Sequence, residues 1–377
     1  FFPTIGGIEV MALDLLPALK ARGHELAVAC THTYAHLPDV DYYQDIPIYR
    51  FQLRIPLAEN NLPILFREQK RLGEFLRAFT PNLIHLFGFG PFAMFYLQTR
   101  HTLPAPSIVT LQIEDSFELQ NVGRQTLLHQ VLTTVDWVTS VSRIEVERLI
   151  ALMPELASRI SCIYNAVDIP TLEPTSLPDP PRLLCIGRLA RQKRFDLALR
   201  AFARIHPVVP HARLSILGDG TERAALEQLA SDLDLNSGVD FPGWIEPKRI
   251  PEHINQATAV VLPSDSEGLP LVGVQTGQMA RPLIGTRVGG VPELIVDGET
   301  GLLTAPGDVD ALANAMRIIL TQPTYAAALG HAARQRVKNL FSLEKIVDSY
   351  DALYTRVVEA VQRDVLRRKL PLQHNIR

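Results

Sequence analysis

Along the chain, short unbroken apolar runs end in polar turns, and between them apolar residues recur at helical spacing. Runs of that kind predict strands buried on both faces, and their alternation with helical stretches predicts βαβ units with parallel sheets. In the first half the runs at 25–30, 46–51, 82–87, 107–112, 137–142 and 160–165 read as strands. Helices fall at 8–22, 63–79, 91–100, 119–133 and 143–151. Leu13, Leu16 and Leu19 are expected inward on the first helix, with Gly23 ending it. Six strands make one Rossmann-like domain. Such a fold ordinarily opens with a strand before its first glycine turn, and no apolar run precedes Gly6-Gly7; a trimmed beginning or a missing element would each account for that.

Residues 168–181, DIPTLEPTSLPDPP, hold five prolines in fourteen positions without periodicity, the composition of an extended linker. Alternation then restarts, with strands at 181–187, 212–218, 239–244, 259–263, 281–286 and 301–305. Helices are expected at 195–206, 221–233, 247–256, 270–280, 291–296 and 308–321. Amphipathic stretches at 325–339 and 343–369 follow, the last long enough to cross back onto the first domain. The expected organisation is therefore an N-terminal domain over 1–167, the linker over 168–181, a second doubly wound domain over 182–342, and a returning helix within 343–377. Two cores imply a cleft between them.

Bulk composition narrows the chemistry. With 377 residues, 47% of them hydrophobic and 20% charged, there is material for two well-buried cores. A formal net charge of −3 argues against nucleic acid as partner, so any polyanion site has to be local. Cys30, Cys162 and Cys185 are widely spaced within apolar runs and read as buried reduced thiols, which fits the cytoplasm.

Two turns point to a phosphate, and two more do so weakly. In PSDSEGLPLVGV, a buried strand gives way to Ser264, Asp265 and Ser266. Glu267-Gly268 then precede Pro270 at the expected first helical turn, with Ser266 or a neighbour as cap. A helix start there aims free amides and the positive dipole end at the cleft, and Gly268 permits close approach; an ordinary strand-to-helix turn reads equally well from this stretch alone. In CIGRLARQKRFDLAL, Arg188 and Lys193 can converge on one anion at the sheet's carboxyl edge, whereas Arg191 and Arg194 read as solvated surface. Gly6-Gly7 and the LGDG turn with Gly218 are weaker signals opening toward the same edge.

The set Gly-Gly-Ile-Glu, Asn-Ala-Val-Asp at 165–168, Gly-Arg-Leu with Lys193, Leu-Gly-Asp-Gly, Glu-Gly-Leu-Pro and GTRVGGVPELIVDGETGLL resembles the family 4 retaining glycosyltransferases of GT-B fold, over nearly the whole chain. The resemblance implies transfer of a sugar from a nucleoside-diphosphate sugar, UDP or GDP, with retained configuration and no essential metal or other cofactor. It implies that Arg188 and Lys193 hold the donor diphosphate and that Glu267 faces the donor sugar, with amides from Gly268, Leu269, Pro270 and Leu271 nearby. Gly7 would meet the phosphate, and Ile245 the base. Two positions depart from the pattern. The second glutamate of the family's pair is Gln275, which keeps an acceptor for ribose at a loss of about 1 kcal/mol. A histidine often found at the end of the 107–112 strand is Gln112; Glu114 and Asp115 follow it as substitutes or as plain loop carboxylates.

His85 ends another strand beside a glycine-rich loop and is either an acceptor-pocket residue or a structural one. The acceptor, whether glycan, lipid or small molecule, is not legible. Arg67, Lys70 and Arg71 form a basic helical face, solvated or resting on an anionic membrane, which would place the protein peripherally at the inner face. A degenerate GT-B nucleotide-binding scaffold and a sugar-nucleotide epimerase are the alternative readings.

Overall fold

The computed structural model describes residues 6–32, 37–100, 105–112 and 126–369. Its first half runs α1 (Gly7–Ala21), β1 (Val28–Thr31), β2 (Val40–Tyr43), β3 (Ile46–Phe51), α2 (Arg54–Ala58), α3 (Leu62–Phe79), β4 (Ile84–Phe87), α4 (Pro91–Thr99), β5 (Ser107–Leu111), α5 (Leu127–Thr134), β6 (Trp137–Ser140), α6 (Arg143–Leu152) and β7 (Ile160–Cys162). The second half runs β8 (Arg182–Ile186), α7 (Phe195–Ile205), β9 (Arg213–Leu217), α8 (Arg223–Asp232), β10 (Val239–Gly243), α9 (Ile250–Asn255), β11 (Ala259–Leu262), α10 (Leu271–Gln278), β12 (Leu283–Thr286), α11 (Val291–Leu294), β13 (Gly301–Thr304), α12 (Val309–Thr321), α13 (Pro323–Leu340) and α14 (Leu343–Lys369).

The second half is a six-stranded parallel sheet in the order β10-β9-β8-β11-β12-β13. The chain winds outward from β8 through β9 to β10, then returns to β8's other side at β11. In a doubly wound sheet that reversal leaves a crevice at the carboxyl ends of the two strands flanking it, because the following loops diverge to opposite faces. Here the crevice lies beyond Ile186 and Leu262, so the turns carrying Arg188 and Glu267 open into it.

The first half departs from a single six-stranded sheet. Among the described residues its strands form two sheets, β1-β3-β2 and β4-β5-β6-β7, and the outer edges of β1 and β4 have no strand partner. A cavity running from the cleft reaches between those edges, lined there by Val28, Cys30, Ile84 and Leu86. β2 was not foreseen: it pairs antiparallel with β3 through a tight turn at Gln44 and Asp45, with φ of 47° and 59°. That geometry ordinarily selects glycine or asparagine, so the sequence carries no turn signal there. On α1 the fully buried residues are Met11, Leu15 and Leu19, an i, i+4, i+8 stripe, while Leu13 and Leu16 are only half-buried. Gly23 does follow the helix, at a φ of 93°.

One apolar cluster spans both halves. It joins Met11 and Leu15 of α1 and Ile108 and Val141 of the first half to Leu184, Val260 and Leu269 of the second, with Tyr350, Leu353 and Val357 of α14. α14 thus lies against the first half, where Tyr354 reaches His85 and Asp348 and Asp351 meet Arg22 and His24. The 168–181 segment forms no helix or strand and is tied to the second half: Thr175 donates to Asn255, and Arg334 meets Glu173. Arg281, 1% exposed, underlies this junction.

Candidate functional site

Arg188 and Lys193 follow β8, in a loop that reaches α7 through a single residue in left-handed conformation, Arg194 at φ 48°. Lys193 Nζ lies 2.9 Å from both carboxylate oxygens of Glu267, which is itself 4% exposed. Ser264, fully buried, donates to Glu267 Oε1 at 2.6 Å, and Thr286 Oγ1 donates to the Ser264 carbonyl at 2.5 Å. A buried carboxylate is tolerated only when paired and hydrogen-bonded, and these partners meet that demand. Arg194 is not simple solvated surface: its guanidinium bonds Asp196 and both oxygens of Asp265, pinning the β8 loop to the β11 loop.

Beyond Gly268 the helix begins at Leu271, with Pro270 as N-cap and no side chain capping it. The expected cap by Ser266 does not form. The serine of that turn whose hydroxyl is spoken for is Ser264, and it serves Glu267 instead. An uncapped helix start keeps its amides and dipole available to an anion. The neighbouring chains are shaped to keep this turn narrow. Gly218 has φ 134°, and a Cβ there would meet the Gly187 carbonyl at 1.9 Å; at Gly289, φ 47°, a Cβ would meet the Glu267 carbonyl at 1.5 Å. Both positions therefore require glycine.

Arg188, Lys193, Glu267 and the stretch from Gly268 to Leu271 line one continuous cavity of about 1590 Å³ that opens between the halves, as do Gln275, Ile245 and Gly218. From the first half it receives Gly6 and Gly7, where α1 also starts without a side-chain cap, together with Gln112 and His85. Asn165, the first residue of the Asn-Ala-Val-Asp motif, lines it too. Its Nδ2 reaches the Leu269 carbonyl at 3.2 Å and Gln112 Oε1 at 3.5 Å, while its buried Oδ1 has no hydrogen-bond partner among the described residues. An orphaned buried acceptor is rare enough to mark a place where a ligand hydroxyl or a water belongs. The signal available in sequence was its position just after the last first-half strand. Trp244, exposed beside Ile245, completes the rim. Glu114 and Asp115 lie outside the described residues.

His85 is committed elsewhere. Its Nδ1 is 2.8 Å from the Tyr354 hydroxyl and its Nε2 2.6 Å from Thr110 Oγ1, and burial pushes its pKa down to about 3. A neutral ring with both nitrogens occupied ties β4 to α14. The basic face of α3 is likewise smaller than the sequence suggests. Glu68, 0% exposed, accepts from Arg67 and from Arg71, and Lys70 pairs with Glu74. No group of three or more His, Cys, Asp or Glu that could hold a metal occurs among the described residues, and the three cysteines are free.

Glu145 on α6 is a buried carboxyl, 6% exposed, held in the first turn of its helix. Burial lifts its carboxyl from 4.5 to about 7, with Glu293 adding to the shift and hydrogen bonding by Ser140 opposing it. A carboxyl whose folded value lies above its unfolded one makes the protein less stable as pH rises through that window, here about 4.5 to 7. Glu145→Gln is therefore expected to raise stability by up to about 3 kcal/mol at pH 8 and to change little at pH 4.5, as thermal melts at both pH values would report.

Two facing α/β halves, with a parallel sheet whose reversal point opens onto the gap and carries cations and helix-start amides, make up the GT-B architecture. The family model described as Glycosyltransferase Family 4 matches residues 5–171, and that described as Glycosyl transferases group 1 matches residues 173–336. The chain belongs to the family 4 glycosyltransferases. It is 34% identical over 165 residues to the GDP-mannose-dependent alpha-(1-6)-phosphatidylinositol monomannoside mannosyltransferase of Mycolicibacterium smegmatis, covering 42% of this chain and 43% of that one. It matches similarly 49% of a Mycobacterium tuberculosis glycogen synthase, so the match spans less than half of these curated relatives. Over nearly full length, 95% and 96%, it is 26% identical to N-acetyl-alpha-D-glucosaminyl L-malate synthase of Bacillus anthracis. Among solved structures, sucrose-phosphate synthase from Thermosynechococcus elongatus superposes with a TM-score of 0.81 at 25% identity, covering 94% of this chain and 93% of that one. No helix among the described residues is long and apolar enough to cross a membrane.

Proposed function

We propose that the protein transfers a sugar from a UDP- or GDP-sugar to a glycan, lipid or small-molecule hydroxyl, with retention at the anomeric carbon. The observation that carries this reading is the convergence of Arg188, Lys193 and the uncapped start of α10 on one cleft wall. As the bond from the anomeric carbon to the diphosphate breaks, positive charge grows on the sugar and negative charge on the departing oxygens. Fixed cations and amides already aimed there lower the barrier because they need no reorganisation. The acceptor hydroxyl adds to the face the diphosphate leaves, and a departing phosphate oxygen takes its proton. In this reading two side-chain cations supply the charge that a divalent metal would otherwise supply. Glu267, held by Lys193 and Ser264, is placed for the sugar hydroxyls, Asn165 Oδ1 for one further hydroxyl, and Gln275 for the ribose.

Calorimetric titration with UDP and GDP tests the binding half, and slow hydrolysis of UDP-glucose or GDP-mannose without acceptor tests the chemical half. Tight nucleotide binding without turnover of any nucleotide sugar would replace this reading with a binding scaffold, and interconversion of the donor sugar would replace it with an epimerase. Gln275→Glu, restoring a charged acceptor, is expected to tighten nucleotide binding by about 1 kcal/mol; weaker binding would remove Gln275 from the ribose site.

For location, we extend the proposal to a peripheral contact with anionic membrane at the cytoplasmic face. The α2–α3 region supports it, since Ile55, Leu62 and Phe66 are exposed there beside Lys70. Co-sedimentation with phosphatidylglycerol vesicles, lost in Phe66→Ala, is the test.

A further inference from the structure

We propose that Glu293 is a positioning residue that clasps the two halves together and, through the glycine pair before it, sets the shape of the donor turn. The side chain leaves the second half and ends in the first. Its Oε1 accepts from the Arg143 amide at 2.7 Å and from the Ile144 amide at 3.2 Å, and its Oε2 accepts from the Tyr164 hydroxyl at 2.7 Å. Arg143 and Ile144 are the first two residues of α6, so their amides have no partner inside that helix. A carboxylate from the opposite half satisfies them and meets the positive end of the helix dipole. The third amide of that turn, Glu145 N, is taken locally by Ser142 Oγ, which leaves the cross-half acceptor a defined pair to hold.

The residue is also anchored from behind. Arg336 on α13 bonds the Glu293 carbonyl through Nε at 3.1 Å and Nη2 at 2.7 Å, so the clasp pulls on a fixed post rather than on a loose turn. Three residues upstream, the Gly290 amide donates to the Gly268 carbonyl at 2.6 Å, and a Cβ on Gly290 would meet that carbonyl at 2.4 Å and Ser142 Cβ at 3.1 Å. Gly290 therefore touches the donor turn on one side and the start of α6 on the other. A shift of the first half relative to the second has to move Glu293, and with it the chain that braces Glu267 and Gly268. The two sites are coupled by one short, packed element with fixed hydrogen bonds at both ends.

The kinetic part of this inference rests on the glycosyl-transfer reading, while the structural part does not. In the intact protein, hydrogen exchange at the Arg143 and Ile144 amides is expected to speed up by at least about tenfold in Glu293→Ala. Affinity for UDP or GDP should fall by about tenfold, with turnover falling alongside it. Glu293→Gln keeps an acceptor for the amides and should recover most of the protection and of the affinity, which loss of a merely stabilising contact would not track. If Glu293→Ala fails to fold, Tyr164→Phe removes only the Oε2 contact and should weaken nucleotide binding severalfold while leaving the amides protected. Unchanged exchange in Glu293→Ala would overturn the clasp. Faster exchange with nucleotide affinity and turnover within about twofold of the parent would overturn its link to the donor turn. Should the parent turn over no nucleotide sugar, exchange and UDP or GDP affinity still decide the inference.

Discussion

Lys193→Ala is expected to lower turnover of a nucleotide sugar by about 10²–10³-fold, with a smaller effect on nucleotide affinity. The ammonium has two tasks. With the cleft free of donor it neutralises Glu267, a carboxylate 4% exposed. In the proposed reaction it would be a mobile point charge beside the departing diphosphate, able to turn from carboxylate to phosphate because its three donors rotate on a flexible stem. In this reading, removing it strips charge stabilisation from the transition state and leaves the buried Glu267 carboxylate without its cation, with Ser264 as its side-chain donor among the described residues. Steady-state rates with UDP-glucose and GDP-mannose measure the loss. A variant retaining parental turnover would show that the pair is structural and that the leaving group is stabilised elsewhere.

Arg281→Ala is expected to destabilise the second half by about 3–5 kcal/mol. This guanidinium is 1% exposed and has no carboxylate partner among the described residues. It donates to the carbonyls of Ala257, Met279 and Asn255, to Asn255 Oδ1, and to Thr175 Oγ1 and the Ser176 carbonyl of the 168–181 segment. Burial lowers its pKa to about 10, yet it stays charged near neutrality. Alanine would orphan those acceptors where water does not reach. Lysine would not repair the loss, because a point charge cannot reproduce a planar fork. Urea titration reads the effect directly, and a loss under about 1 kcal/mol would mean that water replaces the guanidinium.

The second half was more legible in sequence than the first, for a physical reason. Its central strands β8, β11 and β12 are buried on both faces, so AVVL at 259–262 and LLCI at 183–186 stand out as unbroken apolar runs closed by glycine or proline. β2, with Tyr42 68% exposed, has no buried face to write a pattern, and its turn uses Gln44-Asp45 in place of glycine. α2 carries Pro56 within a single turn and more than one periodicity fits it. At the site, backbone turns and cations were readable because their residue types are restricted by geometry. The Lys193–Glu267 pairing, the role of Ser264 and the reach of Glu293 into α6 were not, since each joins residues far apart in sequence through side-chain directions that no local pattern encodes. Asn165 was visible as a letter but not as an orphaned acceptor.

The tie between the β8 loop and the β11 loop bears on attempts to change donor preference by loop exchange. Because the Arg194 guanidinium is bonded to Asp196 and to both oxygens of Asp265, a graft taken from a relative has to bring both loops together; one loop moved alone would leave a charge without its partner beside Lys193 and Glu267, and the two substitutions would not act additively.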